Sequence, residues 1–98
     1  MEDMPNSSPA FLARRVVIAN QRGLHARAAA KFVKLAQTFE AEVSVLNKET
    51  EVPGSSIMGL MMLAASPGCE IEIRASGPDA PGALSALVRL VEEKFGEE

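Results

Sequence analysis

Hydrophobic and polar positions cycle along this chain with a period that changes from segment to segment. The β-branched run Val16-Val17-Ile18 predicts a strand over 15–19, which Gly23 ends. From Ala26 to Phe39 the period lengthens. Ala28, Phe32, Leu35 and Phe39 fall at i, i+4, i+7 and i+11, one face of a helix. Ala41, Val43 and Val45 then alternate with Glu42 and Ser44, the mark of a half-buried strand. Asn47-Lys48 suits a hairpin turn, and 49–52 a short return strand stopped by Pro53-Gly54. A short apolar helix is expected over 56–65, with Leu60, Leu63 and Ala64 on its core face and Ser66-Pro67-Gly68 at its end. Cys69, Ile71 and Ile73 alternate with Glu70, Glu72 and Arg74, the clearest strand of all. Asp79 can cap a last helix that carries Pro81 in its first turn. Leu84, Leu87, Val88, Val91 and Phe95 give that helix its buried stripe.

The order is β-α-β-β-α-β-α. It predicts an α+β fold with one four-stranded, mostly antiparallel sheet covered on one face by three helices. The 98 residues suffice for one domain. Residues 1–12, rich in Pro, Ser and Asn, are expected to form a disordered N-terminal tail, 13–96 the folded domain and 97–98 a C-terminal tail. Without Trp or Tyr the core must be aliphatic, with Phe32, Phe39 and Phe95 as its aromatics.

Composition narrows the setting. Cys69 is the only cysteine, so no disulfide forms within the chain, which fits a reducing compartment. Glu2 and Asp3 stand where a secretory signal would be basic, and the apolar stretch 57–65 is too short to span a bilayer. A cytoplasmic protein away from membranes is expected. The net charge of -3 argues against nucleic acid as a partner. Yet Arg14, Arg15, Arg22, Arg27, Lys31 and Lys34 follow one another with no acidic residue between them. This basic segment is either a solvated face or a site for an anionic ligand or acidic partner.

The sequence offers no Cys and His spacing for a metal and no glycine-rich phosphate loop, and it gives no reason to expect a cofactor. It offers one histidine, in Gly23-Leu24-His25-Ala26-Arg27. His25 falls at the start of the first helix, where Ser, Thr, Asp or Asn would ordinarily cap. With none of those present, the first backbone N–H groups of the helix lack an evident side-chain partner, and the helix dipole favours an anion beside them. The same positive end favours neutral, nucleophilic imidazole. Arg27 can fold back on a phosphate, and Gly23 keeps the approach open. These residues describe either a phosphoryl-accepting histidine or a plain surface loop residue.

Ser56-Ile57-Met58-Gly59 is the second feature. Ser56 reads first as an N-cap, and alternatively as a phosphosite, since phosphate at a helix N-terminus is electrostatically favourable. Ile57, Met58 and Met61 point away from the expected core face. They are either a docking patch or core packing from another side.

Gly23-Leu24-His25-Ala26-Arg27 resembles the active-site motif of HPr, the histidine-containing phosphocarrier of the bacterial phosphotransferase system. Ser56-Ile57-Met58-Gly59 resembles that family's regulatory serine motif. The resemblance covers about 14–95. It implies an open-faced β-sandwich with four antiparallel strands and three helices. The expected protein is a phosphocarrier and not a self-sufficient enzyme, with a monomer as the simplest state. Enzyme I, charged by phosphoenolpyruvate, would phosphorylate Nδ1 of His25, with Arg27 as stabiliser, and the phosphoryl group would pass to an EIIA-type component. Ser56 would be the target of HPr kinase/phosphorylase. Ile57, Met58 and Met61, with Arg22 and Ala28 near the histidine, would form the partner surface. The alternative within the same fold is a phosphorylation-switched binding regulator acting through Ile57, Met58 and Met61. Two positions depart from the family pattern. Ala28 stands where many members have Pro, and Ser55 stands where many have Lys or Arg, which makes Ser55 a rival cap or phosphosite. The Ala-rich helix start and Met-rich segment are similar to HPr or NPr proteins of α-proteobacteria, in which the relay often serves nitrogen-related regulation.

Overall fold

The strict alternation at the end of the chain's third quarter becomes the middle of a sheet. The structure, a computed structural model, describes residues 11–97. Its strands are β1 (Leu12–Val17), β2 (Glu42–Asn47), β3 (Thr50–Pro53) and β4 (Glu70–Ser76). They lie in the order β1-β4-β2-β3, and every neighbouring pair is antiparallel. β4 sends Ile71, Ile73 and Ala75 inward and leaves Glu72 and Arg74 on the open face. Helices α1 (Ala26–Ala36), α2 (Ile57–Met62) and α3 (Ala80–Glu92) supply the other layer. The α+β sandwich open on one face is therefore as expected. No described helix is long and apolar enough to cross a membrane.

The boundaries differ in instructive ways. β1 begins at Leu12, inside the expected 1–12 tail, because Leu12 pairs with Ala75 across the ladder. The partner strand extends β1 over Ala13 and Arg14, whose own composition carries little strand signal, and β1 ends at Val17, two residues short of the expected strand. The rest of the expected tail, 1–10, lies outside the described residues. α1 stops at Ala36, where Thr38 and Phe39 bond back to Leu35 and Ala36 in tighter turns. Its buried stripe is Ala28, Ala29, Phe32, Val33 and Ala36, so Leu35 and Phe39 are only half-buried.

α2 is shorter than expected, and Ala64 is not on its core face. Ala64 takes φ 55, the left-handed residue that ends many helices, and is exposed. This reversal returns Ala65 to the core. Asp79 stands at the N-cap of α3 without capping it; its Oδ2 instead accepts from the Glu40 backbone N–H at 2.8 Å. Phe95 is fully buried as expected, but from a 3-10 turn, Lys94–Gly96, beyond the end of α3.

Candidate functional site

The turn before α1 is built around Gly23 and Asn20. Gly23 has φ +66, and a Cβ there would lie 2.5 Å from the Ala65 carbonyl oxygen. Only glycine fits such a position without displacing backbone. The Leu24 N–H donates to that same Ala65 oxygen at 3.0 Å, so the exit of α2 holds the approach to α1. Asn20 is almost wholly buried, and its Nδ2 donates to the Gly23 carbonyl at 2.8 Å.

His25 is the N-cap of α1, in an extended conformation. Its Nδ1 accepts from the Arg27 backbone N–H at 3.2 Å. The expectation of an uncapped first turn is therefore corrected: the imidazole fills the role that a Ser or Asp side chain usually plays. A group attached to Nδ1 would lie directly before the open N–H groups of the helix.

The other ring nitrogen, Nε2, hydrogen-bonds a carboxylate oxygen of Glu97. Glu97 was expected in a C-terminal tail. Instead its second oxygen accepts from Asn20 Nδ2 at 3.1 Å. The hydrogen bond from His25 is the main cause holding the Glu97 carboxyl below the usual carboxylate range. Desolvation opposes it, while the Asn20 amide and the charges of His25 and Arg22 add to it. His25 and Glu97 share a cleft of about 460 Å³ with the cationic Arg22, Arg27 and Lys94. Arg27 and Arg22 are exposed, so both can reach an anion arriving at His25. Ala28 is fully buried and offers a partner no surface; it packs the start of α1 into the core.

Ser56 caps α2, its Oγ accepting from the Gly59 N–H at 2.9 Å. Ser55 is exposed and makes no such cap. Ile57, Met58 and Met61 are exposed, joined by Met62 at 75%. Leu60 alone of α2 reaches the core.

Asn20 and Glu97 were missed in the sequence. The signal for Asn20 is its spacing: Asn three residues before Gly is a frequent turn device. The signal for Glu97 is Phe95-Gly96, an aromatic anchor and a flexible residue just before an acid.

An open-faced domain with one histidine capping a helix in a basic cleft is suited to carrying phosphate, and comparison with known proteins agrees. Residues 12–93 match the family model described as the PTS HPr component phosphorylation site. The chain is 46% identical over 87 residues to phosphocarrier protein HPr of Neisseria meningitidis serogroup A, covering 89% of this chain and 98% of that one. It is 43% identical over 86 residues to phosphocarrier protein NPr of Shewanella violacea, covering 88% and 94% respectively. The crystal structure of HPr-C-His from Thermoanaerobacter tengcongensis superposes with a TM-score of 0.85 at 42% identity, covering 89% of this chain and 98% of that one. The chain belongs to the HPr/NPr family of phosphocarriers of the phosphotransferase system.

Proposed function

We propose that His25 accepts a phosphoryl group on Nδ1 from phosphoenolpyruvate-charged enzyme I and passes it to an EIIA-type component, in a regulatory or nitrogen-related branch. The observation that carries this reading is the position of Nδ1, 3.2 Å from the Arg27 N–H at the head of α1. A phosphoryl oxygen replaces the ring nitrogen as acceptor for that N–H. The helix terminus and the guanidinium of Arg27 then hold the phosphate without needing a metal. His25 is part-exposed, as a group that must meet two partners in turn requires.

Ile57, Met58 and Met61, with Arg22 beside the cleft, are the surface we assign to those partners. Flexible apolar side chains suit successive, short-lived interfaces. Ser56 is the position we assign to HPr kinase/phosphorylase; a phosphate there keeps an acceptor facing the first turn of α2. On this reading the protein is a cytoplasmic monomer. A second reading, a regulator that binds through Ile57, Met58 and Met61 and is switched by phosphorylation, is favoured by the exposure of Met58 at 68%.

Intact-mass analysis after incubation with phosphoenolpyruvate and enzyme I tests the proposal. One acid-labile phosphate is expected on the natural chain and none on His25→Ala. Phosphate on both chains, or on neither when enzyme I charges a control carrier, overturns it. Onward transfer to an EIIA protein separates carrier from regulator.

A further inference from the structure

Glu97 is held against His25 by a left-handed turn that two of its three residues do not favour. Lys94, Phe95 and Gly96 have φ 59, 56 and 77, three left-handed residues in succession. Such a conformation is costly for lysine and phenylalanine, whose Cβ atoms crowd the backbone there. Two anchors hold it: the Phe95 ring is fully buried, and its carbonyl accepts from Lys31 Nζ at 2.7 Å. The product of this turn is an oriented carboxylate. One oxygen meets His25 Nε2 and the other accepts from the buried Asn20 amide.

We propose that Glu97 is a positioning residue: it holds the Nε2 proton of His25, so that Nδ1 keeps its lone pair toward the phosphoryl donor. The role in transfer rests on His25 being the acceptor, as proposed above; the position of the proton does not. Both ring nitrogens point to the same tautomer. Nδ1 faces an N–H, which can only donate, and Nε2 faces a carboxylate, which can only accept. The opposite neutral tautomer sets N–H against N–H and a lone pair against a negative charge.

The step balances without a proton transfer. The Nδ1 lone pair forms the N–P bond. The bond from phosphorus to the nitrogen of the donor phosphohistidine breaks, and its electron pair leaves with that nitrogen. The proton on Nε2 stays in place. The ring gains positive charge as the bond forms, and the Glu97 carboxylate faces that charge across Nε2–H. Transfer to the next histidine reverses the sequence and returns the pair to Nδ1. A carboxylate behind an imidazole does comparable work in hydrolases and behind metal-bound histidines.

His25 is the only histidine, so ¹⁵N-histidine labelling yields one pair of ring signals from the full chain. At a pH where the ring is neutral, these signals show which nitrogen carries the proton, with no enzyme I present. The natural chain is expected to give a bare Nδ1 and a protonated Nε2, while Glu97→Ala draws the two signals toward each other. Single-turnover phosphorylation by charged enzyme I is expected to slow by about 10- to 100-fold in Glu97→Ala. Glu97→Gln, which retains an acceptor but no charge, is expected to keep the tautomer and fall between the two in rate. Urea unfolding confirms that the variants are folded; if Glu97→Ala is not, Glu97→Gln alone decides on its rate. Unchanged ring signals in a folded Glu97→Ala, or a natural rate in either folded variant, overturns the inference. If no chain is phosphorylated, the carrier reading fails, and the ring signals still decide where Glu97 holds the proton.

Discussion

The Leu24 N–H donates to the Ala65 carbonyl, and that same oxygen is what a Cβ on Gly23 would strike, 2.5 Å away. One carbonyl at the exit of α2 thus both holds the turn before His25 and dictates its glycine. Gly68 provides the contrast, since its φ of +87 is equally left-handed but a Cβ there meets nothing within 4 Å. Gly68→Ala is expected to cost only the backbone preference, about 1 kcal/mol. Gly23→Ala adds displacement of the Ala65 carbonyl and is expected to cost about 3 kcal/mol, with weakened phosphoryl acceptance. Urea midpoints of the two variants check this. Equal losses would mean that the close approach to Ala65 does not matter.

The contrast between local and distant features also explains what the sequence disclosed. The Gly23-to-Arg27 turn and the Ser56 helix start are runs of neighbouring residues whose chemistry is visible in order. The strand at Glu70–Ser76 announced itself by alternation, since one face is buried and the other open. Glu97 and Asn20 lie 77 positions apart, and nothing in either neighbourhood says that they meet. Glu97 reads as one more charge in an acidic terminus, because Phe95 reads as the last residue of a regular helix stripe, and the left-handed turn over Lys94–Gly96 that redirects the chain is not visible in the local pattern. The resemblance sets Ala28 in the partner surface, whereas the helical period sets it on one face with Phe32, and that face is the buried one.

Ser56 and Ser55 are neighbours with different energetic roles. Ser56 Oγ accepts from the Gly59 N–H, and Ser55 does not cap. Ser56→Ala is expected to lower stability by about 1 kcal/mol, the usual cost of a lost N-cap, and Ser55→Ala by a few tenths at most. Chemical denaturation of both single variants is the measurement. A larger loss at Ser55 would reverse the assignment of the cap.

Lys48 occupies the hairpin between β2 and β3, where Asn47 pairs with Thr50 and leaves Lys48 and Glu49 at the turn. Its φ of 59 belongs to the region that hairpins usually reserve for glycine or asparagine. Lys48→Gly relieves that strain, and the added freedom of the unfolded chain offsets part of the gain. The expected net effect is stabilisation of about 0.5 to 1 kcal/mol, read as a higher thermal midpoint with phosphoryl acceptance unaltered. A lower midpoint would show that unfolded-state entropy outweighs the turn strain.

On the open face of the sheet, Glu72 lies between two arginines: Arg74 Nε is 2.7 Å from one of its oxygens and Arg15 Nε 3.5 Å from the other. The Arg74 hydrogen bond is the main cause holding the Glu72 carboxyl below its ordinary value; desolvation opposes it, and Arg15 adds a smaller pull. A carboxyl with a depressed pKa in the folded state contributes stability above its unfolded pKa, about 4.3 for glutamate, and that contribution disappears as pH falls through the lower folded value. Glu72→Gln keeps the shape and removes the ionisation. The natural chain is therefore expected to exceed Glu72→Gln in urea midpoint by a constant margin near neutral pH. That margin should shrink once the pH drops below about 4. It should also shrink at high salt, because the pair is part-exposed and screening weakens it. A margin independent of pH would assign the difference to packing of the side chain, and the ion pairs would then contribute nothing measurable to this face.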